Sequence, residues 1–335
     1  MSPSATMRAI VCRRNGGPDV LEVTTRDVPK PAADEVLVRV AAAGINRADL
    51  LQREGRYPIP AGDNPIPGLE VAGHVVGVGA HVDGWAVGDA VCALVEGGAY
   101  AEFAAIPAVK LLPWPTGFDA VQAAALPESF STVWANVFQA GRLRSGETLL
   151  VHGGRGGVGS TAIQLGRALG ARVIATSGSE QGCRDCRELG ADHVINYRET
   201  PISDAVMACT DGHGVDVILD HIGAPALADN LAALGMDGRL VLIGFSGGAV
   251  VETLDLTPIL ARRLVVTGSA MRPRSNAEKG DIARELRQRV WPLLAQGKCT
   301  PTIARTFPLS AAADAHRYME AGGYFGKVVL TMTAE

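Results

Sequence analysis

Five glycines fall within seven residues of the chain, directly after a short apolar run. Residues 148–152 have the composition of a buried strand, and residues 153–159 read GGRGGVG before a helical pattern opens. In this strand–turn–helix context, glycines allow a tight turn and let the backbone approach a pyrophosphate, which the helix N-terminus binds with its free N–H groups. The spacing GxGxxG therefore predicts a dinucleotide site, whose cofactor-binding residues are Gly154, Gly156, Gly157, Val158 and Gly159.

The residues about 20 positions further on indicate which dinucleotide binds. A site for NAD would carry an Asp or Glu there, at the end of the second strand, to bind the ribose hydroxyls. Residues 176–179 instead read TSGS. Hydroxyl and glycine residues leave room for a 2′-phosphate and can donate hydrogen bonds to it, whereas a carboxylate would repel it. NADPH is therefore favoured, with NADH as the alternative, and Gly178, Ser179 and Tyr197 are predicted cofactor residues.

Strand-like and helical runs alternate along residues 148–270, which is the setting that a dinucleotide loop requires. Strand-like runs occur at 148–152, 172–176, 193–195, 215–220, 239–243 and 264–268, with helical patterns at 158–169, 180–189, 224–234 and 254–261. Strands separated by helices imply parallel pairing through βαβ crossovers. This segment is therefore predicted to form a doubly wound parallel sheet, a Rossmann fold.

The remainder of the chain has a different pattern. Short β-like runs punctuated by glycine and proline occur at 35–42, 71–78, 90–94 and 101–106, which indicates an irregular β-barrel. A helical pattern at 277–296 leads to two strand-like runs at 302–307 and 327–332, which we expect to return to the first domain. We predict an α/β protein in which residues 1–127 and 273–335 form the substrate domain and residues 128–272 form an inserted cofactor domain.

Composition excludes several classes of function. The 335 residues include 31 basic and 35 acidic side chains, which are interspersed and sum to −4, so no basic surface is offered to nucleic acid or anionic lipid. Because no glycine-poor apolar stretch approaches 20 residues and no apolar export segment is present, we expect a cytoplasmic protein that does not enter a membrane. Six cysteines should then be thiols, and the Cys183/Cys186 pair is interpreted as incidental. A small-molecule substrate is the remaining expectation.

Several further motifs resemble one family. Residues 44–49 read GINRAD, 52–58 QREGRYP, 67–73 PGLEVAG and 126–132 LPESFST. With the glycine loop, they resemble the medium-chain dehydrogenase/reductase superfamily, and within it the zinc-free, zeta-crystallin-like quinone oxidoreductases. The resemblance covers nearly the whole chain from Met7 onward. It implies a GroES-like first domain and a homodimer, for which the edge strand at 264–268 is the expected contact.

The resemblance also implies a site without a metal. Where the zinc-dependent alcohol dehydrogenases of the same superfamily have a cysteine, a histidine and a second cysteine, this chain has Asn46, Leu69 and Glu128. Leucine cannot ligate a metal, and one carboxylate does not make a tetrahedral site of nitrogen and sulfur ligands. No four-cysteine lobe occurs between Cys92 and Lys110. We therefore predict no zinc site.

A metal-free site restricts the acceptor. Hydride delivery to an ordinary ketone leaves an alkoxide whose conjugate acid has a pKa of about 16, whereas a quinone leaves a phenolate-like anion with a pKa of about 10. The difference corresponds to roughly 8 kcal/mol of charge stabilisation, which a Lewis acid would otherwise supply. The expected acceptors are therefore conjugated, either quinones or α,β-unsaturated carbonyls.

Site roles follow from the resemblance residue by residue. It places Asn46, Asp49 and Tyr57 as catalytic residues beside the nicotinamide, where Asn46 and Tyr57 could donate hydrogen bonds. The further cofactor residues that it implies are Thr132, Gly244, Phe245, Ser246, Ser269, Ala270, Met271, Phe325 and Lys327. The resulting hypothesis is an NADPH-dependent, zinc-independent quinone oxidoreductase with the acceptor bound between the two domains. Two alternatives stay open: an enoyl or enone reductase, and a noncatalytic NADPH-binding protein.

Overall fold

The structure is a computed structural model, and it describes residues 5–57, 59 and 64–332. Pro58, the last residue of one family motif, lies outside the described residues. The chain divides into two compact units. Unit 1 comprises Met1–Ser131, Arg274–Ala295 and Thr300–Glu335, and unit 2 comprises Thr132–Pro273 and Gln296–Cys299.

The elements follow one another in three stretches. The N-terminal stretch contains β1 (Thr6–Cys12), β2 (Leu21–Asp27), β3 (Glu35–Ile45), α1 (Arg47–Arg53), β4 (Glu70–Val78), β5 (Ala90–Leu94), β6 (Phe103–Pro107), β7 (Leu111–Pro113), α2 (Ala120–Ala124) and α3 (Pro127–Val133). The middle stretch contains β8 (Thr148–Val151), α4 (Gly157–Ala168), β9 (Arg172–Ser177), α5 (Glu180–Glu188), β10 (His193–Asn196), α6 (Ile202–Cys209), β11 (Val215–Asp220), α7 (Leu227–Ala233), β12 (Leu234–Leu242), α8 (Thr257–Arg262) and β13 (Val265–Gly268). The C-terminal stretch contains α9 (Asn276–Arg289), α10 (Trp291–Ala295), β14 (Ile303–Pro308), α11 (Ala312–Ala321) and β15 (Lys327–Thr331).

Unit 1 is built on a sheet that joins both ends of the chain. Its described strands have the order β14-β15-β3-β4-β5-β7, with β6 also paired to β3, and β1 pairs with β2 in a separate hairpin. Both β4 and β15 run antiparallel to β3. Consequently the end of β3 lies beside the start of β4 and the start of β15, and polar residues far apart in sequence meet there. Alternate residues of β3, including Val36, Val38 and Val40, are buried in the core of this unit.

Unit 2 is the predicted parallel sheet. Its described strands have the order β10-β9-β8-β11-β12-β13, which is the order 3-2-1-4-5-6 of a doubly wound fold. All the strand pairs in this sheet are parallel. Leu150, Ile174 and Ile218 of its central strands are fully buried, because a sheet of this kind is covered on both faces. The Rossmann expectation is therefore confirmed, and the carboxyl ends of these strands meet along one edge of the sheet.

Several element boundaries differ from the sequence prediction. The helix predicted at 277–296 is two helices, α9 and α10, and Pro292 at the start of α10 lacks the N–H that a continuous helix would need. The helix predicted at 224–234 begins as a 3₁₀ turn around Pro225 and becomes α-helical at Leu227. Helix α6 is not in the sequence prediction, although its buried residues Ile202 and Val206 have helical spacing. None of the described helices has the length and apolarity needed to cross a membrane.

Candidate active site

The glycine loop joins β8 to α4, and its packing separates two kinds of glycine. A Cβ at Gly159 would overlap the carbonyl oxygen of Gly153, so the close packing of helix on loop requires glycine there. A Cβ at Gly156 would meet nothing closer than that same oxygen at 3.7 Å. Gly156 is also the N-cap of α4 and has no side chain to cap it. The protein therefore leaves open space at the helix N-terminus, and this space fits the pyrophosphate of a dinucleotide.

A network of hydrogen bonds between buried polar side chains holds the start of this loop. His152 donates from Nε2 to Asn230 Oδ1 at 2.7 Å, and Asn230 Nδ2 donates to Asp220 Oδ2 at 3.1 Å. The Thr176 hydroxyl lies 3.3 Å from His152 Nδ1 and accepts from the N–H of Gly153 at 3.3 Å. Burial lowers the pKa of His152, so the ring stays neutral and can donate at one nitrogen and accept at the other. The network ties β8, β9 and β11 to the start of the loop.

The end of β9 carries the predicted hydroxyl groups. Ser179 is the N-cap of α5, where its Oγ accepts from the N–H of Gly182 at 3.1 Å. A Cβ at Gly178 would overlap the hydroxyl of Tyr197, so the half-exposed phenol packs directly on this glycine. The structure thus brings Gly178, Ser179 and Tyr197 together.

A cation that sequence analysis missed lies beside them. Arg155 belongs to the glycine loop, and its Nε lies 2.6 Å from Oδ2 of Asp185 on α5. A Cβ at Gly182, in the first turn of α5, would lie 2.7 Å from Cδ of Arg155 and would overlap the Ser177 hydroxyl. Arg155 therefore extends from the loop across the end of β9. The signal in the sequence was an arginine inside the glycine motif, but only the fold shows where its side chain lies.

The ends of β12 and β13 bring further predicted cofactor residues to the same edge of the sheet. Ser269 donates to Asn136 Oδ1 at 2.9 Å, and Asn136 Nδ2 donates to the carbonyl of Thr132 at 2.8 Å. The Ser246 hydroxyl lies 3.2 Å from Nδ1 of His221, whose ring also lies against Gly153. Neighbours of these residues along the chain complete the set: Gly244, Phe245, Ala270 and Met271.

In unit 1, three side chains converge where β3, β4 and β15 meet. Lys327 Nζ lies 2.5 Å from Asn46 Oδ1 and 2.5 Å from Glu70 Oε1, and Asn46 Nδ2 donates to the same Glu70 oxygen at 3.0 Å. Glu70 Oε2 accepts from the N–H of Glu128 at 2.9 Å. A Cβ at Gly44, which pairs with Glu70 across the two strands, would overlap this carboxylate. Glycine at position 44 therefore makes room for the cluster.

Burial and charge act in opposite directions on this lysine. Burial alone would lower the pKa of Lys327, but the carboxylates of Glu70 and Glu128 outweigh it and raise the pKa above its ordinary value. Lys327 is 5% exposed and Glu70 is fully buried. The ammonium therefore stays charged inside unit 1.

Asp49 is held by a separate chain of buried groups. Its Oδ2 accepts from the backbone N–H of Asn46 at 2.8 Å and from the Tyr100 hydroxyl at 3.1 Å. The Tyr100 hydroxyl lies 3.1 Å from Nε2 of His316, and Nδ1 of His316 lies 3.3 Å from Nη1 of Arg53. Arg53 can only donate, so Nδ1 of His316 accepts, and the ring proton lies on Nε2, facing Tyr100. Arg53 therefore donates to His316, His316 donates to Tyr100, and Tyr100 donates to Asp49.

Burial determines the protonation states of Asp49 and His316. Burial raises the pKa of Asp49 to about 7, although the N–H of Asn46, the Tyr100 hydroxyl and the charge of Lys327 oppose the rise. Burial and the neighbouring charge of Arg53 lower the pKa of His316 to about 3. Asp49 is thus protonated in mildly acidic solution, while His316 is neutral. Sequence analysis did not name Glu70 as a site residue, although Glu70 lies in the family motif at 67–73. It also missed Tyr100 and His316, whose local sequence carries no such motif.

The two remaining predicted residues of unit 1 lie near the ends of elements. Tyr57 follows α1, is half-buried, and donates its backbone N–H to the carbonyl of Leu51 at 3.1 Å. Phe325 is half-buried and precedes β15 by one residue, Gly326.

Two of the three residues at the positions of the zinc ligands interact with the ammonium of Lys327. Asn46 Oδ1 accepts from Lys327 Nζ, and the charge of Glu128 raises the pKa of Lys327, whereas Leu69 offers no ligand atom. Across the described part of the chain, no group of three His, Cys, Asp or Glu side chains is arranged to hold a metal ion.

Comparison with known proteins identifies the family. Residues 32–116 match the alcohol dehydrogenase GroES-like domain, and residues 157–287 match the zinc-binding dehydrogenase family. Quinone oxidoreductase of Rattus norvegicus is 32% identical over 329 residues, which cover 97% of this chain and 98% of the relative. The chain belongs to the medium-chain dehydrogenase/reductase superfamily. The resemblance inferred from the sequence motifs, including the GroES-like first domain, is therefore confirmed.

Two further matches extend this similarity. The structure of Escherichia coli quinone oxidoreductase complexed with NADPH is 31% identical, with a TM-score of 0.84 over 98% of this chain and 100% of that one. A mycocerosic acid synthase-like polyketide synthase of Mycolicibacterium smegmatis is 33% identical over 98% of this chain, which spans 15% of that much longer protein. The chain described by this structure is therefore an NAD(P)-dependent oxidoreductase.

Proposed function

We propose that this protein is an NADPH-dependent quinone oxidoreductase that works without zinc. The observation that carries the proposal is the cluster of Asn46, Glu70 and Lys327, which provides hydrogen-bond donors and a buried ammonium where zinc enzymes of the superfamily have metal ligands. Such a site can stabilise the modest negative charge of a phenolate-like product and is poorly suited to an alkoxide.

The residues of unit 2 fit the cofactor. The open N-terminus of α4 at Gly156 would hold the pyrophosphate, and Ser269 with Thr132 would line the nicotinamide end. When bound, NADPH supplies a hydride from nicotinamide C4, which together with one proton reduces the quinone to a hydroquinone and leaves NADP⁺. The protein itself binds and orients the cofactor through the N-terminus of α4 and the residues at the nicotinamide end.

The preference for NADPH over NADH rests on charge at the end of β9. Ser177 and Ser179 offer hydroxyls, no carboxylate occupies the final positions of the strand, and Arg155 extends across this end. Arg155 is anchored by Asp185, so its guanidinium is already oriented before the cofactor arrives. A guanidinium with two hydroxyls matches a 2′-phosphate, which only NADPH carries.

Asn46 is the candidate donor to the acceptor oxygen. Lys327 and Glu70 occupy its carbonyl oxygen and one amide hydrogen, and its second amide hydrogen bonds to no other described residue. Tyr57 would supply a second hydrogen bond or shape the pocket for the acceptor. Asp49 holds the backbone of Asn46 and, when protonated, carries a proton close to it.

Turnover with a panel of acceptors tests the proposal. Purified protein should oxidise NADPH with quinones, faster than NADH, and a strong chelator should not reduce the rate. The variant Asn46→Ala should lose most of this activity, while Asn276→Ala, which alters an exposed asparagine at the start of α9, should retain it. Binding of NADPH without turnover of any quinone, unaffected by Tyr57→Phe, would identify a noncatalytic binding protein instead.

Reduction of α,β-unsaturated carbonyls is the second candidate. Enones and enoyl thioesters also yield stabilised anions, so they suit the same donors, and the chain matches a segment of a polyketide synthase over nearly its full length. Faster turnover of enoyl thioesters than of quinones would favour this candidate.

We also propose that the protein is a homodimer. Strand β13 is an edge of the described sheet of unit 2, and Val265 and Val266 on it are about 40% exposed. Leu260 on the preceding helix is 85% exposed. An apolar edge strand of this kind pairs readily with a copy of itself.

A further inference from the structure

The side-chain amide of Asn46 is held by two groups that can hydrogen-bond in one sense only. The Lys327 ammonium donates to its oxygen at 2.5 Å, and the Glu70 carboxylate accepts from its nitrogen at 3.0 Å. An ammonium cannot accept and a carboxylate cannot donate, so the amide cannot turn over without losing both bonds. Its orientation is thereby determined, and so is the direction of its second N–H.

The holding groups form a buried ion pair. Lys327 and Glu70 are 2.5 Å apart, and their side chains are 5% and 0% exposed. Buried ion pairs contribute little net stability, because removing two charges from water costs about as much as their attraction returns. Apolar residues of the same size would serve the packing at least as well, so the pair points to a role in orienting a polar group.

The pairing of three strands places all three residues of the cluster together. Asn46 follows β3, Glu70 begins β4 and Lys327 begins β15, and both of these strands pair with the end of β3. The second oxygen of Glu70 is held by the N–H of Glu128. Regular strands and a backbone hydrogen bond therefore hold the two ions, and the ions in turn hold the amide.

We propose that Lys327 and Glu70 are positioning residues that lock the Asn46 amide so that its second N–H is presented to the oxygen of the acceptor. This inference rests on the proposed function, in which Asn46 donates to that oxygen. It gives Lys327 a different role from the cofactor contact that the family resemblance implies. The two roles predict different kinetics.

A double-mutant cycle separates them. Asn46→Ala and Lys327→Met should each lower kcat with a quinone by about tenfold or more, as expected for the loss of one donor to a developing oxyanion. The double variant should be no slower than the slower single variant, because Lys327 acts through Asn46. The Kd for NADPH, measured by titration of protein fluorescence, should stay within about twofold in all three variants.

Three further variants control for a general structural effect. Lys327→Arg keeps the charge and the donors and should recover part of kcat, which a purely structural loss would not show. If Lys327→Met does not fold because Glu70 is left unpaired, the variant Glu70→Gln/Lys327→Met removes both charges and takes its place in the cycle. Lys298→Met, at an exposed lysine, is the control for the change of charge.

The outcomes are distinct. Losses of kcat that multiply in the double variant, or weaker NADPH binding in Lys327→Met but not in Asn46→Ala, would overturn the positioning role. A wild-type protein that reduces no quinone would instead overturn the proposed function. In that event ¹⁵N-labelled asparagine still decides the inference: the Asn46 side-chain signal, assigned by its loss in Asn46→Ala, should shift in Lys327→Met and not in Lys298→Met, and an unshifted signal would refute the lock.

Discussion

Asp49 and His316 lie on either side of Tyr100, and their pKa values are displaced in opposite directions. Asp49 has a pKa of about 7 in the folded protein, against 3.8 ordinarily, and His316 has a pKa of about 3, against 6.5. Between about pH 4 and pH 6.5 the folded chain therefore keeps a proton on Asp49 that the unfolded chain has released. Over the same range the unfolded chain binds a proton at His316 that the folded chain does not.

The two residues consequently make opposite contributions to stability. A raised acid pKa stabilises the fold at low pH, and this stability is lost as the pH rises towards 7. A lowered histidine pKa has the reverse effect, since stability is complete above pH 6.5 and is lost on acidification towards pH 3. Each contributes about 1.4 kcal/mol per pH unit in the shared range, or about 3 kcal/mol between pH 4.5 and pH 6.5. In the wild-type protein the two slopes cancel.

Removal of one residue should expose the slope of the other. Relative to wild type, Asp49→Asn should lose about 3 kcal/mol more stability at pH 4.5 than at pH 6.5, and His316→Gln should lose about 3 kcal/mol less. Urea unfolding followed by tryptophan fluorescence measures this in a Trp134→Phe background. The other three tryptophans, Trp85, Trp114 and Trp291, then all belong to unit 1.

Each variant is compared with wild type at both pH values, so the contributions of the other titrating groups to stability cancel. Asp83→Asn, at an exposed carboxylate of unit 1, is the matched control, and its stability relative to wild type should not change with pH. A stability difference for Asp49→Asn that is the same at both pH values would show that Asp49 is ionised in the fold across this range. The explanation of the network by burial would then be wrong.

Three further predictions concern unit 2. Arg155→Gln should weaken NADPH binding about ten- to hundredfold and leave NADH binding nearly unchanged, as expected for loss of a charge-assisted hydrogen bond to phosphate. Arg187→Gln, at an exposed site of α5, should change the binding of neither cofactor. Fluorescence titration with both cofactors measures these affinities, and equal losses of NADPH and NADH binding in Arg155→Gln would contradict the assignment. Gly159→Ala should destabilise the fold by about 2 kcal/mol or more, because the added Cβ overlaps backbone. Gly156→Ala should leave the thermal midpoint nearly unchanged and weaken NADPH binding at least tenfold. The reverse pattern would exclude phosphate binding at the N-terminus of α4. Val266→Arg should convert the proposed dimer to a monomer in sedimentation velocity. A dimer that persists in this variant would place the interface elsewhere.

The amino-acid sequence by itself determined the fold class and the position of the glycine loop. Runs of apolar residues with strand and helix periodicity identify the parallel sheet of unit 2, and GGRGGVG identifies the turn at the end of its first strand. These features are readable because they depend on residues adjacent in sequence: a strand, a glycine turn and a helix start. The same is true of Gly178 and Ser179, which follow β9 directly.

Only the tertiary structure decided which polar groups meet in unit 1. Asn46 and Lys327 are 281 residues apart, and the pairing of β15 with β3 brings them within hydrogen-bonding distance. Tyr100 is 51 residues from Asp49, and His316 is 216 residues from Tyr100, so these partners are also distant in sequence. Residue types cannot reveal such partners, because the register of a sheet is set by the whole core rather than by the residues at its edge. Burial, which displaces the pKa values of Asp49 and His316, is likewise a property of the fold.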